Sequence, residues 1–479
     1  MTATPHMLDL SAHDGQSIAV LGLGVSGLSA ASALRRAGAD VRAWDDNENR
    51  RNGAAARGLT PVDLESADFG HIRTLVLSPG IPHGHPDTHP VVARAREAGC
   101  EIVCDIELLT RAETEARFIG ISGTNGKSTT TALLGHILDV LGVTSEIGGN
   151  IGAPALSLAA LGNGGTYVLE LSSYQLELLP TAIFDVAVLL NITPDHLDRH
   201  GGMDGYVAAK RRIFDGQKAG QAAIVGVDDT HCQAIFAELR ERGTSAMVPI
   251  STNTACSGGI YLADGLIIDD RSGTPERVLE MASLEALPGT HNAQNVAAAY
   301  AAASLIVESD QPELRSRIPD AIRSFPGLAH RQELVGSRNG VRFVNDSKAT
   351  NADAAAHALA AYENIYWIAG GIAKDGGIDM LAPWFGRIRH AFLIGDAAPS
   401  FEDTLRGKVP ATISGDLPTA IAQAADMADA ARERPAAVLL SPACASFDQF
   451  ASFEARGDAF RTAVTALPDF QAHGEGGAA

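Results

Sequence analysis

The chain repeats one pattern: a short apolar run, a glycine-bearing junction, then a segment with helical spacing. SIAVLGLG leads into SGLSAASALRRAG, and RFIGISG leads through GTNGKST into TTALLGHILDVLG. An apolar run without polar alternation suits a strand covered on both faces. A helix between two such strands demands a crossover, so the pattern predicts parallel sheets. DVRAWDD and TLVLSPG continue it early in the chain, and YVLELSS and DVAVLLNIT follow in the next block. VRFVNDS, IYWIAGG, HAFLIGD and AVLLSPA resume it beyond about residue 328. Between about 220 and 290, turn-rich stretches such as GGIYLADGLIID predict a β elaboration. No internal repeat is visible, and 479 residues leave room for three successive α/β domains.

Charge narrows the partners. With 37 basic and 57 acidic residues the net charge is −20, which argues against a nucleic-acid-coating surface or an anionic membrane. An anionic small ligand stays compatible, since a few local cations and helix N-termini can hold one. The five cysteines form no C-x-x-C pair, as expected of a reduced, cytosolic protein. MTATPHMLDLSAHDGQ has no basic region followed by an apolar run, and no apolar stretch approaches the roughly 18 residues of a spanning helix. A soluble, cytoplasmic chain with a disordered QAHGEGGAA tail is expected.

Two glycine loops are candidates for phosphate. Gly22-Leu-Gly-Val-Ser-Gly27 lies between a strand and a helix, with Asp45 and Asp46 roughly 20 residues beyond it, as in a dinucleotide fold. A nicotinamide or flavin cofactor, another nucleotide diphosphate, and plain strand–helix packing all fit that loop. The second, Gly123-Thr124-Asn125-Gly126-Lys127-Ser128-Thr129, lacks the longer Gly-x-x-x-x-Gly-Lys spacing, because the nearest glycine upstream of Gly126 is Gly123. Its strand–loop–helix context still suits ATP. Backbone N–H groups would hold phosphate, Lys127 would reach the β- and γ-phosphates, and the Ser128 hydroxyl would bind Mg²⁺.

Glu170 ends the YVLE strand, and His196 follows DVAVLLNIT between Asp195 and Asp198. Strand ends deliver side chains to ligand crevices, so each reads as a Mg²⁺ ligand or as an ordinary structural or surface residue. Lys210 in VAAKRRIF reads by itself as a lysine on a helix surface. GLAHRQE, NDSKATN, GGIAKDGG and SPACASFDQF each adjoin a strand and read as loops on one sheet edge, with their ligand unspecified.

Together with GTNGKST, NITPDHLDRH and GTHNAQN (289–295), those last segments resemble the Mur ligase family of peptidoglycan synthesis, in order, from about Gly22 to about Phe460. NDSKATN and SPACASFDQF are most similar to the member that adds D-glutamate. No DNPR-type segment, used by the ligase that adds a diamino acid, is visible. The related folylpolyglutamate synthase lacks an N-terminal uridine-nucleotide domain. The resemblance implies a Rossmann-like uridine-nucleotide domain over 1–105, a P-loop ATPase-like domain over 106–327, and a Rossmann-like D-glutamate domain over 328–479. It implies an ATP-dependent amide ligase that joins D-glutamate to UDP-N-acetylmuramoyl-L-alanine (UDP-MurNAc-L-alanine) through an acyl phosphate. A cytoplasmic monomer using ATP and two Mg²⁺, with small-molecule substrates and neither nucleic-acid nor membrane partners, is expected.

The implied sites follow the motifs. Val25, Ser26, Asp46, Asn47 and Gly80 would lie at the uridine nucleotide, and Asn150 would contact substrate near the metals. Asn292, Asn295, Arg331 and Asp346 would frame the adenine nucleotide held by residues 123–129. Lys348, Thr350, Lys374, Ser446 and Phe453 would bind D-glutamate. Ser128, Glu170, His196 and a carbamylated Lys210 would hold Mg²⁺, and Lys127, Asn150, His196 and Lys210 would be catalytic. Two positions depart from the family pattern: Gly226 stands where Asn is expected, and Lys210 lies one residue closer to His196. Three other readings are a Mur-family ligase for a different amino acid, a nicotinamide-dependent oxidoreductase built on Gly22–Gly27, and a non-catalytic ATP-binding regulator.

Overall fold

The computed structural model describes residues 7–473 apart from 285, 288, 290 and 375. The 474–479 part of the tail expected to be disordered, Thr290 of GTHNAQN and Asp375 of GGIAKDGG therefore lie outside the described residues. Three α/β sheets organise the chain. By contact it divides into one unit of Met1–Met281 with Asn292–Arg323, which carries the first two sheets, and another of Ala282–His291 with Ser324–Ala479, which carries the third.

The first sheet is parallel, in the order Asp40–Trp44, Ser17–Leu21, Thr74–Leu77, Glu101–Val103. The apolar runs named above supply the first three strands. The second sheet has nine strands. Its parallel centre runs Ala222–Gly226, Val186–Leu189, Arg117–Ser122, Thr166–Glu170, Ser145–Gly149. Arg117–Ser122 sits between two strands that follow it in sequence, so the winding reverses beside it and leaves a crevice at its C-terminal end. The loop 123–126 and Glu170 emerge at that edge.

The elaboration expected between 220 and 290 extends this sheet rather than forming a separate one. Ala246–Ser251 pairs with Ala222–Gly226, and Ile260–Ala263, Leu266–Asp269 and Glu276–Glu280 continue outward. Asp264 and Gly265 join the first hairpin with φ of 49° and 77°, a two-residue turn of the hand that matches strand twist.

The third sheet holds seven strands, in the order Ala411–Gly415, Ile388–Ile394, Ile365–Gly370, Ala436–Leu440, Val341–Asn345, Glu333–Arg338, Gln471–Ala472. Ile365–Gly370, Ala436–Leu440 and Val341–Asn345 are parallel neighbours. The loops after them, carrying Lys374, Ser446 and Lys348, therefore leave the sheet side by side. Among the described residues no helix is long and apolar enough to cross a membrane.

Candidate functional site

The compact phosphate loop is built as its sequence suggests. Strand Arg117–Ser122 ends, four residues turn, and helix Lys127–Leu141 begins. Gly126 is the N-cap, with φ 85°, and a Cβ there would lie 2.2 Å from Asn295 Oδ1. Glycine is required both for that left-handed backbone and for the close approach. The loop is then pinned from behind. Asn191 accepts from the Asn125 N–H at 2.9 Å and donates to Gln294 Oε1 at 2.8 Å. Thr124 Oγ1 donates to the Thr193 carbonyl at 3.1 Å and lies 3.1 Å from the Tyr206 hydroxyl. Thr130 donates to Asn295 Oδ1 at 3.3 Å, and Asn295 donates to Asn292 Oδ1 at 2.9 Å. The N-terminus of helix His291–Asp310 is thereby fastened to the loop.

Two lysines converge on one carbonyl. Lys127 Nζ donates to the Gly123 and Thr124 carbonyls, both at 2.8 Å, and Lys210 Nζ donates to the same Gly123 oxygen at 2.7 Å. The helix-surface reading of Lys210 is corrected: the residue is 1% exposed, on the inner face of helix Met203–Arg211, with its ammonium 4.8 Å from the Tyr206 ring centre. Burial first, and the charge of Lys127 second, hold its pKa well below the usual lysine range, while Asp195 and Glu170 offset part of this. A buried lysine beside another cation is a poor ammonium and a good amine.

Glu170, 2% exposed, accepts from Asn150 Nδ2 at 2.7 Å through Oε1, while its buried Oε2 has no hydrogen-bond partner among the described residues. A buried carboxylate with an orphaned oxygen, beside a phosphate loop, fits a hard divalent cation. Among the described residues no three His, Cys, Asp or Glu side chains stand at metal-binding geometry. That agrees with the composition of the expected set, in which only Glu170 and His196 are of those types. His196 adopts φ 51°, is half exposed, and lies 3.5 Å from Asp195 Oδ2 and 5.2 Å from Tyr174 between ring centres.

At the first glycine loop the structure distinguishes two adjacent acids. Asp45 is buried and accepts the Leu23 N–H at 2.6 Å and the Asn47 N–H at 2.8 Å, so it braces the turn. Asp46 points outward and meets His89 at 3.0 Å. Val25 is 75% exposed at the start of helix Val25–Arg36, and Asn47 caps helix Glu48–Ala56. The Gly80 carbonyl accepts from Arg199 at 3.2 Å. Arg199 in turn stacks over Tyr174 at 4.7 Å.

A bridge that sequence reasoning missed joins the two sheets of this unit. Glu177 accepts from His83 at 3.0 Å and from His200 at 3.2 Å, and His200 stacks on Tyr174. Burial alone would raise the Glu177 carboxyl, but the two histidine hydrogen bonds outweigh it and hold the group down at about 2. His200 closes the NITPDHLDRH segment, but nothing in the sequence ties it to Glu177 or His83, so only the fold could reveal the bridge. The Gly226 departure also has a local reason. A Cβ there would fall 1.9 Å from the Leu190 carbonyl oxygen and 2.7 Å from Gln294 Nε2.

In the second unit, Asp346 ends strand Val341–Asn345 and accepts from Ser441 Oγ at 2.7 Å and from the Gln332 N–H at 3.1 Å. Burial raises its carboxyl to about 7, with Ser441, Gln332 and the Arg331 charge offsetting only part. Lys348 Nζ sits 3.9 Å from the ring centre of Phe453. Ser446 is buried, Thr350 is half-buried and Lys374 is exposed. Asn292 and Asn295 stand at the phosphate loop in the first unit, whereas Arg331 and Asp346 belong to the second.

The chain belongs to the Mur ligase family. Residues 16–104 match the family described as Mur ligase MurD-like, N-terminal domain, 121–303 match the Mur ligase middle domain, and 330–444 match the Mur ligase, glutamate ligase domain. The family is one of ATP-dependent ligases. The UDP-N-acetylmuramoylalanine--D-glutamate ligase of Caulobacter sp. (strain K31) is 51% identical over 471 residues, covering 96% of this chain and 98% of the relative. The protein of the same name from Rhodospirillum rubrum is 50% identical, covering 96% and 97%. The crystal structure of UDP-N-acetylmuramate-alanine ligase MurC from Thermotoga maritima superposes with a TM-score of 0.54 at 16% identity, over 93% of this chain and 98% of that one, which establishes a shared fold.

Proposed function

We propose that the chain is the ligase that adds D-glutamate to UDP-MurNAc-L-alanine at the expense of ATP, in the cytoplasm. The observation that carries the reading is the convergence of Lys127 and Lys210 on Gly123, at the start of a helix and on the sheet edge that also bears Glu170. The Lys127 ammonium at a helix start, whose N–H donors act in the same sense, suits a phosphate, and the buried amine of Lys210 beside it is a carbamylation site facing the same point. The relatives' printed names support D-glutamate as the amino acid. In this reading 1–105 takes the uridine nucleotide, 106–327 ATP, and 328–479 D-glutamate.

A carboxylate is a poor acyl donor, so the substrate carboxylate first receives the γ-phosphoryl group and becomes an acyl phosphate. Lys127 stabilises charge on the transferring group, and Asn292 and Asn295 keep the loop in the shape that receives it. When bound, Mg²⁺ supplies further neutralisation of the phosphoryl charge, with Glu170, His196, Ser128 and Lys210 as its holders. Lys210 is suited to that task only as a carbamate, and its suppressed basicity provides the neutral amine that carbamylation needs. Asn150, aligned by Glu170, faces the substrate. D-Glutamate, held by Lys348, Thr350, Lys374, Ser446 and Phe453, attacks through its amine, and phosphate departs.

The oxidoreductase reading loses Asp45, whose oxygens accept backbone N–H groups and Arg50 rather than facing a ribose, and both glycine loops fall within matched Mur ligase domains. Substrate labelled with ¹⁸O in the alanyl carboxylate tests the proposal: label is expected in the released phosphate only when ATP and D-glutamate are both present. ADP formation that needs neither amino acid nor uridine nucleotide would refute it.

A further inference from the structure

The third sheet sends out three neighbouring loops, and one residue outside all of them joins two directly and reaches the third. Arg456, on helix Phe453–Thr465, is 1% exposed. Its Nε donates to Ser347 Oγ at 2.9 Å and its Nη2 to the Ser347 carbonyl at 2.8 Å. Nη1 and Nη2 both donate to the Cys444 carbonyl at 3.1 Å. The guanidinium thus clamps the residue before Lys348 to the strand segment just before Ser446. The third loop is tied to the same point, because Ile372–Ala373, next to Lys374, pairs antiparallel with Cys444–Ala445. Where the ribbon begins, a Cβ on Gly371 would lie 3.3 Å from Arg456 Nη1. Ser347 closes the circuit by donating to the Phe453 carbonyl at 2.8 Å, and the Phe453 ring carries the Lys348 ammonium.

The clamp is unusual in its charge. A guanidinium this buried normally faces a carboxylate, because desolvating a cation is expensive and neutral acceptors such as two carbonyls and a hydroxyl compensate only part. Among the described residues Arg456 makes no ion pair. Burial lowers its pKa to about 10, which leaves it charged at neutral pH. A methionine or leucine would fill such a space more cheaply. Asp448 acts on it only at longer range, and retaining a cation without a direct carboxylate partner is explained if an anion arrives beside the loops it ties.

We propose that Arg456 is a positioning residue for the amino-acid substrate. It locks the loops of Lys348, Lys374 and Ser446 into one arrangement, and its charge, offset only in part by Asp448 at longer range, favours a dicarboxylic amino acid held there. The inference rests on the D-glutamate reading for the identity of that substrate. The test uses the full-length enzyme and compares Arg456→Lys, Arg456→Met and Ser347→Ala by steady-state kinetics and thermal melting. Lysine keeps the charge but cannot bridge Ser347 and Cys444 together. Losing charge-assisted hydrogen bonds of this kind is expected to raise the KM for D-glutamate about tenfold in Arg456→Lys and about a hundredfold in Arg456→Met. Ser347→Ala removes the hydroxyl's two hydrogen bonds, to Arg456 and to the Phe453 carbonyl, but leaves both carbonyl contacts of the guanidinium, and is expected to give a rise of about threefold. The KM values for ATP and for UDP-MurNAc-L-alanine should stay within about twofold, the range of a negligible energy change.

A folded Arg456→Met with unchanged KM for D-glutamate overturns the proposal, as does an equal rise in all three KM values across the series. If Arg456→Met fails to fold, Arg456→Lys and Ser347→Ala decide by the same criterion. Should wild-type enzyme use another dicarboxylic amino acid, the D-glutamate reading fails while Arg456 is judged on that substrate. An amino acid without a side-chain carboxylate overturns both.

Discussion

Replacing Asp346 by asparagine separates what a buried carboxylate does for ligand binding from what it costs in stability. Burial raises its carboxyl from 3.8 to about 7, and the bonds from Ser441 and Gln332 recover only part. Because the folded pKa lies above the unfolded one, the folded chain holds this proton where the unfolded chain has released it. Stability therefore falls as pH climbs from 3.8 to about 7 and levels off above. At about 1.4 kcal/mol per pH unit, the gap between 3.8 and about 7 amounts to about 4 kcal/mol at pH 8, but only about 2 kcal/mol at pH 5. Asparagine keeps the geometry, its Oδ1 accepting from the Gln332 N–H and its Nδ2 donating to Ser441 Oγ, yet it has nothing to titrate. The stability gain of Asp346→Asn over wild type should therefore grow by about 2 kcal/mol between pH 5 and pH 8. Urea unfolding followed by the fluorescence of Trp367 and Trp384, both in the second unit, measures it directly. If Asp346 frames the adenine nucleotide as proposed, ATP-dependent activity should fall in the same variant. A gain that does not change with pH, or a variant less stable than wild type at pH 8, refutes the reasoning.

Other perturbations test other links. Lys127→Met should fold normally and lose about a hundredfold to a thousandfold in kcat, the scale of removing one preorganised donor to a charged transition state; retained turnover would exclude the assigned role. Exchange with ¹³C-bicarbonate should give a carbamate resonance in wild type that is absent from Lys210→Arg, and its absence from wild type would remove Lys210 from the metal-holding set. Glu177 has a depressed folded pKa, so its contribution is present above 4.5 and lost as pH falls toward about 2. Glu177→Gln should thus be less stable than wild type by at most about 3 kcal/mol near neutrality, with the gap closing in acid melts. Gly126→Ala forces a Cβ against Asn295 at a left-handed φ, and should lose about 1–2 kcal/mol in thermal unfolding and raise the KM for ATP.

The parallel sheets and the phosphate loop were legible because both are local. Runs such as RFIGIS and VAVL announce strands buried on both faces, and Gly-Lys-Ser at a strand–helix junction has little else to be. What escaped depended on direction and distance. Asp45 and Asp46 are adjacent acids after the same strand, and only the turn they meet decides that one braces backbone while the other faces outward. Lys210 has the neighbours of a surface lysine, and its burial is imposed by the loop packed against its helix. Glu101–Val103 gives little sequence signal, being three residues long with only one of them buried. Arg456 and the His83–Glu177–His200 bridge join residues about a hundred positions apart, a relation that single-sequence spacing cannot encode.

The central claim concerns which amino acid is joined. ADP release in the presence of UDP-MurNAc-L-alanine should be measured against D-glutamate, L-glutamate, meso-diaminopimelate, L-lysine and glycine. The account predicts turnover with D-glutamate alone, accompanied by a product heavier than the uridine substrate by one glutamyl residue. Selective turnover with meso-diaminopimelate or L-lysine, or ADP release indifferent to the amino acid, would contradict it.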